Sequence, residues 1–303
     1  MKEKVLFIIV MFIFGSIGLF VKNIDLPSSE VALFRGMIGS SVLLLASLIM
    51  KKKFDLKRNK LNLILLVISA GALGFNWIFL FEAYHYTTIS TATISYYFAP
   101  VIVMFLSPFV LRERWSWYKG ASIIIALLGL IFITKPLENF GGMDSNHWIG
   151  IGYGLLAALL YASVILLNKF IHGFSGFERT VLQLFIASLI MLPYVMLTEG
   201  IHLFDLDGKS FLFLLIVGVI HTGLTYMIYF SLLPKIQGQT VAVYSYLDPI
   251  TAVLLATLIL REPLGIMDMI GGIFILGATF FHEIKDWKDL TKSSMKEGPV
   301  QKV

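Results

Sequence analysis

Cysteine is absent from this chain of 303 residues. Its absence excludes disulfides, thiol nucleophiles and Cys-ligated metals. Charge is scarce too: Asp, Glu, Lys and Arg make up 14% of the residues against 57% hydrophobic ones, too apolar for an ordinary soluble domain. Enzyme signatures are also missing. The sequence carries no HExxH helix for zinc, no GxSxG nucleophile turn and no aspartate pair inside an apolar run. A channel would normally show a selectivity ring or a filter-like loop, and the connections here are too short to build one.

What the chain has instead is apolar length. A hydrocarbon core about 30 Å thick takes about 20 helical residues. Runs near that length lie at 5–21, 31–50, 61–84, 89–111, 118–134, 149–171, 180–197, 211–233, 239–260 and 266–282. The first could pass for a signal peptide, but it lacks a small-residue cleavage site and nine more runs follow, so it reads as a helix of the protein. The expected fold class is therefore an all-α membrane protein with ten transmembrane helices. Its net charge of +5 records orientation rather than a nucleic-acid partner. With the N-terminus inside, inner segments hold Lys2, Lys4, the basic cluster between Lys51 and Lys60, Arg112, Arg114, Lys169, Arg179 and the tail lysines. Outer segments hold only Lys22, Lys135, Lys209 and Arg261 as basic residues. The positive-inside rule then places both termini in the cytoplasm.

The second five runs repeat the first. Tyr97, Pro100, Leu106 and Leu111-Arg112-Glu113 return as Tyr246, Pro249, Leu255 and Leu260-Arg261-Glu262, an offset of 149 residues throughout. Gly74, Phe81 and Thr91 return as Gly223, Phe230 and Thr240. A duplicated unit with an odd number of spans lies in the bilayer in two opposite orientations, so the expectation is two inverted five-helix repeats. Many secondary transporters are built this way and bind cargo near the midplane between the halves. The expected units are 5–134 and 148–283, followed by a charged cytoplasmic tail over 284–303. Pro100 and Pro249 fall mid-span at matched positions, where each removes a backbone hydrogen bond and kinks its helix.

The segments Phe81 to Thr134 and Phe230 to Phe281, each with a mid-span proline and an Arg-Glu pair at the helix end, resemble the EamA repeat of the drug/metabolite transporter superfamily. That resemblance implies a ten-helix carrier with a central cavity in a bacterial plasma membrane. It also implies a small-molecule substrate, a lipid bilayer around the protein, no cofactor or metal and no enzyme activity. Amino acids or related amines moved by alternating access, with export as the direction, are the expected cargo and mode. Uptake or passive facilitation of a small nutrient is the alternative, and a homodimer is left open.

Duplication also filters the polar residues. Those kept in both copies read as scaffold; those present in one copy are candidates for cargo or coupling. Asp248 aligns with Ala99 and lies mid-span, where a charge costs roughly 2.5–3.5 kcal/mol on insertion scales. It should face a wet cavity, bind a cation or hydrogen-bond the backbone freed by Pro249. His221 aligns with Ala72, and Thr225 and Tyr229 follow at four-residue steps on one helical face. Imidazole titrates near neutrality, which makes His221 a candidate relay or ligand, with a static hydrogen bond as the plain alternative. Arg35 and Glu82 fall at matched depth as a gate or ion pair. Asn76, Trp77, Tyr97, Tyr161 and Tyr246 could line a cavity for an aromatic ring or an organic cation. An aromatic wall with one acid and no mid-membrane Lys or Arg favours amino acids or amines over sugars or phosphates.

Overall fold

The computed structural model describes residues 2–51, 59–112, 115–134, 145–236 and 238–296. Glu113, the connector residues 135–144 and Gln237 lie outside them. Every regular element among the described residues is helical. The segments are α1 Lys2–Gly15, α2 Ile17–Val21, α3 Ser28–Ile49, α4 Lys60–Tyr86, α5 Ile89–Tyr96, α6 Ala99–Val110 and α7 Trp117–Thr134. They continue as α8 Ser145–Asn168, α9 Gly176–Thr198, α10 Gly208–Leu215, α11 Thr225–Leu232, α12 Gly238–Ser245, α13 Leu247–Leu258 and α14 Ile266–Lys296. A π-helical stretch, Ile216–Leu224, joins α10 to α11.

Helix occupies each expected run, but among the described residues seven helices are long and apolar enough to cross a membrane. Three others, Trp117–Ile133, Leu247–Leu258 and Ile266–Phe281, are apolar but shorter. The ninth run, like the fourth, is interrupted: α12 ends at Ser245 and α13 begins at Leu247. The tail stretch from 284 is not separate from the last run, since α14 continues to Lys296.

Local chemistry sets the boundaries. α9 starts four residues before the expected 180 because Ser175 and Glu178 form a capping box, each side chain bonding the other's backbone N–H. Thr88 caps α5 by accepting from Thr91 N, and Asp207 caps α10 by accepting from Ser210 N and Lys209 N. The Arg-Glu motifs terminate helices. Arg112 and Arg261 hold the left-handed backbone at φ 56° and 55°, matched across the repeat. After Arg261 the Glu262 N–H returns to the Ala256 carbonyl at 3.1 Å, which closes the end of α13.

The main core lies among α3, α4 and α9, around fully buried Leu33, Leu43, Phe81, Leu184 and Met191. Outward faces stay apolar, with Leu48, Ile49, Phe109 and Leu197 largely exposed, as a bilayer solvent requires. Side-chain contacts define two ends of the bundle. At one, Lys22, Ile89 N and Glu262 meet, His147 meets Thr87, and His202 meets Glu30. At the other, His172 N meets Asn62, and Arg179 meets Asn168. We call these the Glu262 end and the Asn168 end.

Candidate functional site

The site is built on two broken helices. α5 stops at Tyr96 and α6 begins at Ala99, with Pro100 in its first turn; α12 stops at Ser245 and α13 begins at Leu247, with Pro249 in its first turn. Proline has no N–H to give and is tolerated only where the helix starts afresh. At both positions the helix is interrupted while Phe98 and Tyr246 keep right-handed helical dihedrals. The interruptions put Tyr97 and Asp248 beside each other: Tyr97 Oη donates to Asp248 Oδ2 at 2.6 Å. The carboxylate bonds a side chain from the other half rather than the backbone freed by Pro249. Its place in the first turn of α13 also suits a negative charge. Gly15 lets α1 approach this point, since a methyl there would sit 2.7 Å from Thr251 Cβ.

A cavity of about 500 Å³ lies around this contact. Asp248, Trp77, Tyr97, Tyr161, Tyr246, Arg35 and Pro100 all line it. Sequence reasoning missed the further ring walls Phe14, Phe81 and Phe230, which have no polar atom to draw attention. It also missed a polar cluster at the Asn168 end. There Gln183 Nε2 donates to Ser69 Oγ at 2.7 Å and to Asn168 Oδ1 at 2.8 Å, and Arg179 Nη1 donates to the Asn168 carbonyl at 3.0 Å. Asn168, Arg179 and Gln183 line the cavity, so it reaches toward that end.

Arg35 is the largest revision. Expected near Glu82 as a pair or gate, it turns inward instead. Its Nε donates to Thr222 Oγ1 at 2.9 Å, and its guanidinium carbon lies 4.4 Å from the centre of the Trp77 ring and 5.5 Å from that of Phe81. The residue is 5% exposed. Among the described residues neither Arg35 nor Glu82 forms an ion pair. Stacking on Trp77 contributes roughly 0.5–2 kcal/mol, against several for burying an unpaired charge. The premise of a cavity without Lys or Arg therefore does not hold.

Three other expected lining residues sit outside the cavity. His221 is buried, with Nδ1 at 3.3 Å from the Ile216 carbonyl, Nε2 at 3.0 Å from Ser16 Oγ, and its ring edge-on to Phe20. Thr225 Oγ1 donates to the Ile220 carbonyl at 2.7 Å. Both lie in or just after the π stretch. The π stretch lengthens the stacking interval from about four residues to about five, so the four-residue step from His221 to Thr225 does not keep one face; Tyr229, in α11, lines the cavity. Asn76 is held between helices, Nδ2 donating to the Ala157 carbonyl at 2.6 Å. Of the kink prolines, Pro249 lies behind the wall, buried in α13.

The Glu262 end is tied shut. Glu262 accepts from Lys22 Nζ at 2.6 Å and from the Ile89 backbone N–H at 2.8 Å. Glu30, fully buried, accepts from His202 N at 2.8 Å and meets His202 Nδ1 at 2.7 Å. That side-chain bond raises the His202 pKa above its ordinary 6.5. Ser29 Oγ donates to Glu199 alongside.

Known proteins share this architecture. The chain is 31% identical over 271 residues to the uncharacterized transporter YxxF of Bacillus subtilis, covering 88% of this chain and 86% of that one. It is 24% identical to the mouse solute carrier family 35 member G1 (70% of this chain, 59% of that one). It is also 24% identical to an S-adenosylmethionine uptake transporter of Rickettsia prowazekii (64% and 62%). One solved crystal structure superposes with a TM-score of 0.61 at 17% identity, over 92% of this chain and 96% of its own, a likeness of fold. The model of the EamA-like transporter family matches residues 1–135 and 148–282. With its apolar helices and its cavity, this chain belongs to the EamA-like transporter family, multi-pass membrane proteins that move small molecules.

Proposed function

We propose that the chain is a secondary transporter in a bacterial plasma membrane that exports amino acids or related amines by alternating access. In this reading ten helices cross the bilayer as two inverted five-helix repeats, 5–134 and 148–283, with both termini cytoplasmic. Support for the topology comes from the basic residues of the inner loops and from the contacts that sort the loops to two ends. Tied at the Glu262 end and reaching toward Asn168, the cavity then corresponds to an inward-facing state. Rocking one half against the other would move access across the site, with the restarts at Phe98 and Tyr246 as the natural hinges.

Asp248 carries the reading. A carboxylate kept mid-span, bonded to Tyr97 and walled by aromatic rings, is suited to an ammonium group. Export is the proposed direction, and an inward-facing cavity is the state in which an exporter loads its cargo. The Rickettsia relative, named for uptake, keeps the opposite direction as the second reading.

The test is counterflow in proteoliposomes loaded with single amino acids or amines, with and without a pH gradient. Exchange of at least one such solute, lost in Asp248→Asn, is the expected result. Exchange of neutral sugars alone would overturn the cargo class. Acceleration by the gradient identifies coupling; an unchanged rate identifies a facilitator. Net flux from liposomes with known orientation decides export against uptake.

A further inference from the structure

The cavity has a second pole that the proposed cargo class does not by itself require. Arg35 lines it and is buried, yet no carboxylate among the described residues neutralises it. Of the five N–H donors on a guanidinium, one is engaged by the described residues, the Nε bond to Thr222. That acceptor is itself fixed. Thr222 Oγ1 donates its own proton to the Val217 carbonyl, five residues back at 2.9 Å, and so presents a lone pair to Arg35. The π turn makes this bond available, because a carbonyl in it is met from five residues on. Trp77 supports the guanidinium plane from one face. Held by one edge and one face, the fork of two Nη groups is left for the cavity.

We infer that Arg35 is the anion-binding pole of the cargo site and that the cargo carries a carboxylate as well as an ammonium group. The inference rests on the transporter reading above and narrows it to zwitterions, with simple amines excluded. A planar fork fits a carboxylate through two parallel charge-assisted bonds. A single cation matches a single negative charge better than the two of a phosphate. The opposite pole is Asp248. Arg35, Tyr84, Tyr226 and Asp248 line the same cavity, so the two charges serve one chamber. A zwitterion between them satisfies both, while an amine leaves the guanidinium unpaired.

The experiment compares ligands before it compares variants. Purified full-length protein is screened by thermal shift against the twenty common amino acids. The best stabiliser is then titrated beside its decarboxylated amine and its methyl ester. The amino acid should bind about tenfold more tightly than either relative, the worth of one charge-assisted interaction. Arg35→Gln should erase that preference while the amine binds at least as tightly as to the wild type, because a like charge has left the chamber; retained amine binding also certifies the variant as folded. Arg35→Lys should keep part of the preference. Thr222→Val should weaken the amino acid and spare the amine. An amine or ester that binds the wild type as tightly as its parent amino acid overturns the inference and leaves the transporter reading intact, with no variant needed. Binding of neither amino acids nor amines removes the cargo class and the inference together.

Discussion

The fourth and ninth apolar runs are interrupted at matched positions, carry a matched proline in the turn that follows, and end at a left-handed arginine, Arg112 and Arg261. They differ in charge at the residue before the proline: Ala99 in the first, Asp248 in the second. The comparison separates two kinds of constraint. Features common to both copies follow from the backbone, because a proline must sit where no donor is needed and a reversal needs a left-handed residue. The carboxylate is required by neither. It persists against the cost of burial, and it reaches across to the tyrosine of the other copy.

Removing the difference should have the largest effect. Asp248→Asn keeps the shape and drops the charge; cargo affinity should fall about a hundredfold, as for one partner removed from a buried charge pair, in equilibrium titrations. Copying the difference comes next. Ala99→Asp places a second carboxylate, without a partner, in the first restart and should destabilise the protein by about 3 kcal/mol, read as a lower midpoint in chemical denaturation. Tyr97→Phe cuts the bond from Tyr97 to Asp248 between the two restarts. A hydrogen bond to a charged group is worth about 1.5–3 kcal/mol, so stability or cargo affinity should change by roughly tenfold, with counterflow still measurable.

The tied end allows smaller tests. Glu262→Gln should weaken the bond to Lys22 by about 1 kcal/mol and raise the labelling rate of a cysteine introduced at Ile17, a clean reporter in a chain that has no other. The smallest effect concerns His202. Its pKa is raised by Glu30, so the bond contributes most below the ordinary value of 6.5 and is lost as pH rises through the elevated value. Thermal stability should decline slightly over that window, and His202→Ala should flatten the decline.

Much of this fold was legible because its signals are additive along the chain. Apolar runs, matched prolines and the matched Arg-Glu turns need no knowledge of packing. Asp248 stood out because a lone acid in an apolar run has few explanations. Arg35 was misplaced for a physical reason. Depth along a helix can be counted in residues, but the direction a side chain takes depends on which helix lies beside it, and α3 packs on the π stretch through Gly39 and Thr222. His221 was misplaced for a related one: a helical wheel assumes 3.6 residues per turn, and Ile216–Leu224 do not keep it. The ninth run was expected over 239–260 as a helix bent at Pro249, and the interruption falls three residues earlier, at Tyr246.

The carboxylate of Glu262 belongs to the second half, while Lys22 and the amide of Ile89 belong to the first. Any separation at that seam must strip an acid of a cation and a helix start of an acceptor together. Water entering the gap can replace both. Wetting and parting are therefore one event there, and ionic strength should act on the rate of that event before it acts on anything inside the chamber.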